Sequence, residues 1–147
     1  MVREKYKSFD VLIEIPRGSR NKYEYDFKLK RIRFDRMLFS SMMYPADYGF
    51  MPQTLALDGD PLDVLVLINE PTFPGCVMEV KPIGVFHMAD DKGPDEKIIC
   101  VPVSDPIWNS LNDLKDINPH LLKEIEHFFQ VYKDLEHKIV DVEGWGD

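Results

Sequence analysis

The sequence predicts a mainly β domain with added α structure, organised as a small closed barrel, and three observations predict it. Short β-patterned runs recur along most of the chain, one strongly amphipathic helix comes late, and strands do not alternate with helices as a βαβ design requires. Runs of β character place strands at 9–15, at 22–27 and 31–35 as a hairpin, at 63–68, at 77–88 with a break near Pro82-Ile83-Gly84, and at 97–103. The helix is marked at its start by Asn118 as N-cap, Pro119 in the first turn and Ile117 placed to pack on Leu122. Its apolar stripe, Leu121, Leu122, Ile125, Phe128, Phe129, Tyr132 and Leu135, recurs at helical spacing and faces the sheet. A short strand at 138–142 is expected to close the structure.

A chain of 147 residues with 44% hydrophobic and 12% aromatic content can bury one proper core, so a single domain over 1–147 is expected. The net charge of -8, with no basic stripe, argues against nucleic acid or an anionic membrane as partner. No signal-type stretch or membrane-length apolar run is present, and Cys76 and Cys100 form no Cys-x-x-Cys pair, which together point to the cytoplasm.

The segment that bears most on function is Asp58-Gly59-Asp60-Pro61-Leu62-Asp63, directly before the apolar run Val64-Leu65-Val66-Leu67-Ile68. Crowded ionised carboxylates repel one another unless a cation lies between them, so the segment predicts a metal. With carboxylate oxygens as ligands and no Cys or His at metal-binding spacing, the expected ion is hard and divalent, Mg²⁺ first and Mn²⁺ next. Gly59 and Pro61 suit a tight turn feeding a buried strand. An EF-hand loop is excluded, because its fifth, sixth and twelfth positions would be Leu62, Asp63 and Asn69. A haloacid-dehalogenase-type phosphatase also presents Asp-x-Asp after an apolar strand and stays as an alternative, as does a simple solvated turn.

Other segments extend the theme. Glu14 interrupts an otherwise apolar run and needs a partner, either a basic neighbour or a metal site. Strand alternation puts Lys22, Glu24 and Asp26 on one face, where a cation beside carboxylates suits phosphate plus metal but equally a solvated strand. Asp90-Asp91-Lys92-Gly93-Pro94-Asp95-Glu96-Lys97 is a second acidic turn before a strand, which alone reads as an exposed hairpin tip.

The residues Asp58-Gly59-Asp60-Pro61-Leu62-Asp63-Val64 resemble the signature of the soluble family I inorganic pyrophosphatases of bacterial type. The similarity continues in matching order through Ile13-Glu14-Ile15-Pro16, Lys22-Tyr23-Glu24, Asp35-Arg36, Tyr44-Pro45-Ala46-Asp47-Tyr48-Gly49, Asp90, Asp95-Glu96-Lys97, His127-Phe128-Phe129, Tyr132-Lys133-Asp134-Leu135 and Val142-Glu143-Gly144-Trp145. The resemblance implies an OB-type five-stranded closed barrel with one or two helices packed on it, and commonly a homohexamer. It implies Mg²⁺-dependent hydrolysis of pyrophosphate to two phosphates. Asp58, Asp63 and Asp95 would ligate the principal ions, Asp90 would join Asp95 around a further one, and Glu14 and Glu24 would act at the edge of the cluster. Lys22, Arg36, Tyr48, Lys97, Tyr132 and Lys133 would bind phosphate, and Asp60 would be the general base.

The chemistry is consistent with such a division. Metals and cations can supply most of the stabilisation for a compact polyanion, and metal ions can lower the pKa of water from 15.7 to roughly 7 so that hydroxide attacks at neutral pH. Taken alone, Tyr132 reads as core, since it lies on the helical stripe. A non-catalytic OB-fold binding module is the remaining alternative, and it leaves Lys22, Arg36, Lys97 and Lys133 without a role.

Overall fold

The computed structural model describes residues 2–3, 7–52, 61–90, 92–136 and 140–146. The strands are β1 (Val2–Arg3), β2 (Ser8–Ile15), β3 (Asn21–Asp26), β4 (Arg31–Met37), β5 (Asp47–Met51), β6 (Leu62–Val66), β7 (Val77–Asp90), β8 (Gly93–Pro94), β9 (Lys97–Pro102) and β10 (Asp141–Gly146). Neighbouring strands run β2-β5-β6-β9-β7, and β2 pairs again with β7, so five strands close on themselves. This is the OB-type barrel expected, and closure removes the open edges a flat sheet would leave. Strand β10 adds to β7, while β3 and β4 form a separate hairpin.

The apolar run after the aspartates is explained by burial on both faces. Val64 and Val66 join one cluster with Val11, Ile13, Val80 and Cys100, while Leu65 and Leu67 join another with Phe86, Ile99 and helix residues. A strand buried on both sides reads as a continuous apolar stretch, and β6 pairs in parallel with β9, as such strands commonly do.

The helix α1 (Pro119–Val131) starts as expected, with Asn118 accepting a hydrogen bond from the His120 amide and Pro119 in the first turn. Ile125, Phe128 and Phe129 are buried against the barrel. The stripe does not run on to Leu135: α1 ends at Val131, Asp134–Glu136 form a 3₁₀ turn, and Leu135 is 59% exposed. A second 3₁₀ turn, Leu114–Asp116, precedes the helix.

Two differences from the sequence reading concern strands. Strand β5 was not anticipated, because Asp47-Tyr48-Gly49-Phe50-Met51 carries an acid and a glycine in its first half. Gly49 is there because a Cβ would collide with the Leu12 carbonyl of β2, so only glycine permits this pairing. Asp47 is fully buried and accepts from the Arg17 amide and from the amide and hydroxyl of Thr72, which makes it a structural acid. The terminal strand lies later than expected, at 141–146, and its register shifts at Gly144, whose φ is +106°. The break in β7 is a register shift between Pro82 and Gly84, where expected.

Candidate functional site

Parallel register on β6 and β9 places Asp63 beside Lys97, and the turn before β9 brings Asp95 to the same point. The Lys97 side chain is 1% exposed, and its Nζ donates to Asp63 Oδ2 at 3.2 Å, to both Asp95 oxygens at 3.1 Å and to the Tyr48 hydroxyl at 2.8 Å. The same ammonium lies 5.0 Å from the Tyr48 ring centroid and 5.3 Å from that of Phe129. Two carboxylates and two aromatic faces therefore offset the cost of burying it.

Around this cluster opens a cavity of about 250 Å³. One wall is the hairpin, through Lys22, Tyr23, Glu24, Tyr25 and Phe27; the barrel contributes Glu14, Tyr48, Phe50 and Asp63. Asp90, Lys92 and Asp95 come from the second acidic turn, Pro61 from the end of the first, and Tyr132 and Lys133 from the end of α1. The second acidic turn thus borders the same cavity as Pro61 and Asp63, so it is not a mere hairpin tip.

Burial pushes the Glu14 carboxyl up to about 7, and the Asp63 charge adds to this against the opposing hydrogen bond from the Tyr25 amide at 2.8 Å. Asp63 is also raised, by burial first and then by Asp95, with the Lys97 ammonium opposing. Burial raises the Tyr48 and Tyr132 hydroxyls well above their usual value, so both are neutral donors. All the acidic ligand atoms are hard oxygens, and burial raises both Glu14 and Asp63. That donor set fits a divalent oxygen-preferring ion. Among the described residues no three acids lie close enough to enclose an ion by themselves.

Of the expected site residues, Glu14, Lys22, Glu24, Tyr48, Asp63, Asp90, Asp95, Tyr132 and Lys133 line the cavity, and Lys97 is buried directly beneath it. Asp58 and Asp60 lie outside the described residues. Asp26 does not share the face of Lys22 and Glu24 in any functional sense, because it accepts from the Lys28 and Leu29 amides and from Arg33 at the hairpin turn. Arg36 stands behind Lys22, its register partner on β4, and its two Nη groups reach Asp35 at 2.6 Å and Glu136 at 2.9 Å. Asp35 also takes the Lys22 ammonium at 3.1 Å. The roles of Asp35, Glu136 and Phe129 in arranging these cations were not read from the sequence. Asp35 had its neighbour Arg36 as a signal; Glu136 and Phe129 had none, since their partners are distant in the chain.

The site is thus an acid-lined cavity rimmed by lysines on a closed barrel. The family model described as inorganic pyrophosphatase matches residues 11–147. An inorganic pyrophosphatase of Methanosarcina mazei is 66% identical over 137 residues, covering 93% of this chain and 81% of its own. Among solved structures, the Thermus thermophilus inorganic pyrophosphatase superposes with a TM-score of 0.93 at 48% identity, over 95% of this chain and 82% of its own. The Helicobacter pylori enzyme gives 0.95 at 41% identity, over 100% and 88%. The chain belongs to the inorganic pyrophosphatase family.

Proposed function

We propose that this protein hydrolyses inorganic pyrophosphate to two phosphates with the help of Mg²⁺, through one pyrophosphatase domain spanning residues 1–147. The observation that carries the reading is the convergence of Glu14, Asp63, Asp90 and Asp95 with Lys22 and Lys133 on a single cavity. Acids alone would suit a metal-binding module; acids facing cations across a cleft suit a metal-complexed polyanion.

A bound divalent ion would supply charge neutralisation and a lowered water pKa, and Asp58, Asp63 and Asp95 would hold it, with Asp90 and Glu14 completing the set. Lys22 and Lys133 take peripheral phosphate oxygens from opposite walls, and Tyr48 and Tyr132 donate without adding charge. Lys97 holds Asp63 and Asp95 in place through its ammonium. Arg36, expected as a phosphate ligand, has both Nη groups on Asp35 and Glu136 and adds positive charge beside Lys22. Asp60 accepts the proton as water oxygen bonds to one phosphorus and the bridging P–O bond breaks, and the leaving phosphate departs with the electron pair of that bond.

Phosphate release from pyrophosphate, measured with and without Mg²⁺, tests the reading; no metal-dependent release would overturn it. The dehalogenase-type alternative has no support here, since the chain enters strand β6 where that fold needs a helix after its aspartates. No helix is long and apolar enough to cross a membrane, among the described residues. A cytoplasmic location accords with the two free thiols, Cys76 and Cys100. A homohexamer accords with exposed apolar side chains such as Phe39 and Met43, and with His127 exposed on α1 as a candidate interface residue. Light scattering that gives a monomer mass at micromolar concentration removes the hexamer and leaves the catalytic reading standing.

A further inference from the structure

The cavity has two walls from parts of the chain far apart in sequence, the β3–β4 hairpin carrying Lys22 and the segment after α1 carrying Lys133. The hairpin belongs to a sheet of its own and holds to the barrel by contacts such as the Tyr25 amide on Glu14. Arg36, the register partner of Lys22 on the hairpin, meets Glu136 of the 3₁₀ turn, three residues after Lys133, at 2.9 Å. The Glu136 side chain is 6% exposed and that of Arg36 24%, so the carboxylate end of this partly buried pair is shielded from water. Among the described residues, nothing hydrogen-bonds Arg36 Nε or Glu136 Oε2, although both atoms are buried. A carboxylate placed so can shift between one and two bonds to the guanidinium without exposing its charge.

We infer that Glu136 is a positioning residue for pyrophosphate: by holding Arg36 it fastens the hairpin to the end of the helix and sets the separation of the Lys22 and Lys133 walls. The inference rests on the cavity being the pyrophosphate site. Glu136 touches no substrate and works through Arg36. Two phosphates linked through one oxygen have a fixed span, so a site that grips both ends needs its walls at a fixed distance. Lys22 is drawn into the same unit, because Asp35 bridges it to Arg36.

The test uses the full chain with Glu136→Gln, Arg36→Ala and the double variant. It has two readouts: pyrophosphate turnover with Mg²⁺, and calorimetric binding of methylenediphosphonate, which keeps the span but is not hydrolysed. Glu136→Gln should raise KM about 10- to 100-fold, with a smaller change in kcat, and weaken methylenediphosphonate binding in proportion. The double variant should bind no worse than Arg36→Ala, since the two residues act as one unit. Hydrogen exchange should quicken in β3 and β4 while β6 and β9 stay protected. Wild-type KM and diphosphonate affinity in Glu136→Gln, or additive losses in the double variant, would overturn the inference. Should Glu136→Gln fail to fold, Glu136→Asp keeps the buried charge and shortens its reach; the same pattern is expected there in milder form, and wild-type binding in that variant also overturns it. Wild-type protein that binds methylenediphosphonate without releasing phosphate from pyrophosphate would sink the functional reading alone, leaving the binding comparison to decide the role of Glu136.

Discussion

Asp63 and Lys97 are register partners on the parallel strands β6 and β9, and their side chains meet at 3.2 Å inside the protein. The Lys97 ammonium also faces Asp95, so one buried cation holds two carboxylates at the floor of the cleft. Replacing it by Met leaves both acids without their cation. Lys97→Met is expected to cost about 3–5 kcal/mol of stability without metal, the usual penalty for breaking a buried pair. Added Mg²⁺ should recover part of the loss, because a divalent ion can do for Asp63 and Asp95 what the ammonium did. Thermal unfolding with EDTA and with Mg²⁺ checks this, and equal destabilisation in both would show that the acids do not share a metal.

Two aspartates three residues apart should separate by role. Asp63→Asn should weaken Mg²⁺ binding markedly, with activity returning in part at high metal. Asp60→Asn should leave metal affinity near wild type and lower kcat by roughly 10²- to 10⁴-fold, the usual worth of a general base. Extra Mg²⁺ should not restore it, whereas higher pH should, since external hydroxide replaces the missing base. Calorimetry that finds the same metal defect in both variants would reassign Asp60 as a ligand.

Not every buried acid here is chemical. Asp47 accepts three hydrogen bonds from Arg17 and Thr72 and lies away from the cavity lining. Asp47→Ala strands those donors and should lower stability by about 1–3 kcal/mol. Its kcat and Mg²⁺ affinity at a temperature where it is folded should match wild type. A large kcat loss in folded protein would mean that the Arg17 to Thr72 region reaches the site.

Ion size and substrate span should both matter. Ca²⁺ should inhibit, since its looser coordination at longer distances places the attacking water poorly. Phosphomonoesters should turn over slowly, since they leave one wall of the cleft without a partner. Full turnover with Ca²⁺, or comparable rates on a sugar phosphate, would contradict the geometry proposed. A covalent phosphoenzyme on trapping would contradict direct attack by water.

Local patterning by itself determined most of the strands, the start of α1 and the acidic theme, because these depend on neighbours within a few residues. Asn118 caps the helix by bonding an amide two residues away, and β6 shows its burial as an unbroken apolar run. Patterning also suggested a small closed barrel, and the resemblance carried by short ordered motifs supplied its OB type and the roles of the site residues. Tertiary structure decided what depends on distant partners. It set β5, whose Gly49 answers to the Leu12 carbonyl of another strand, and it ended α1 before Leu135, which finds no core to enter. It also turned Lys97 from a surface-like cation into the buried counter-charge of Asp63 and Asp95, and gave Arg36 to Glu136, 100 residues along the chain. Electrostatic partnership falls off with distance in space and not along the sequence, so a carboxylate with no local signal becomes decisive only once the fold has brought its cation to it.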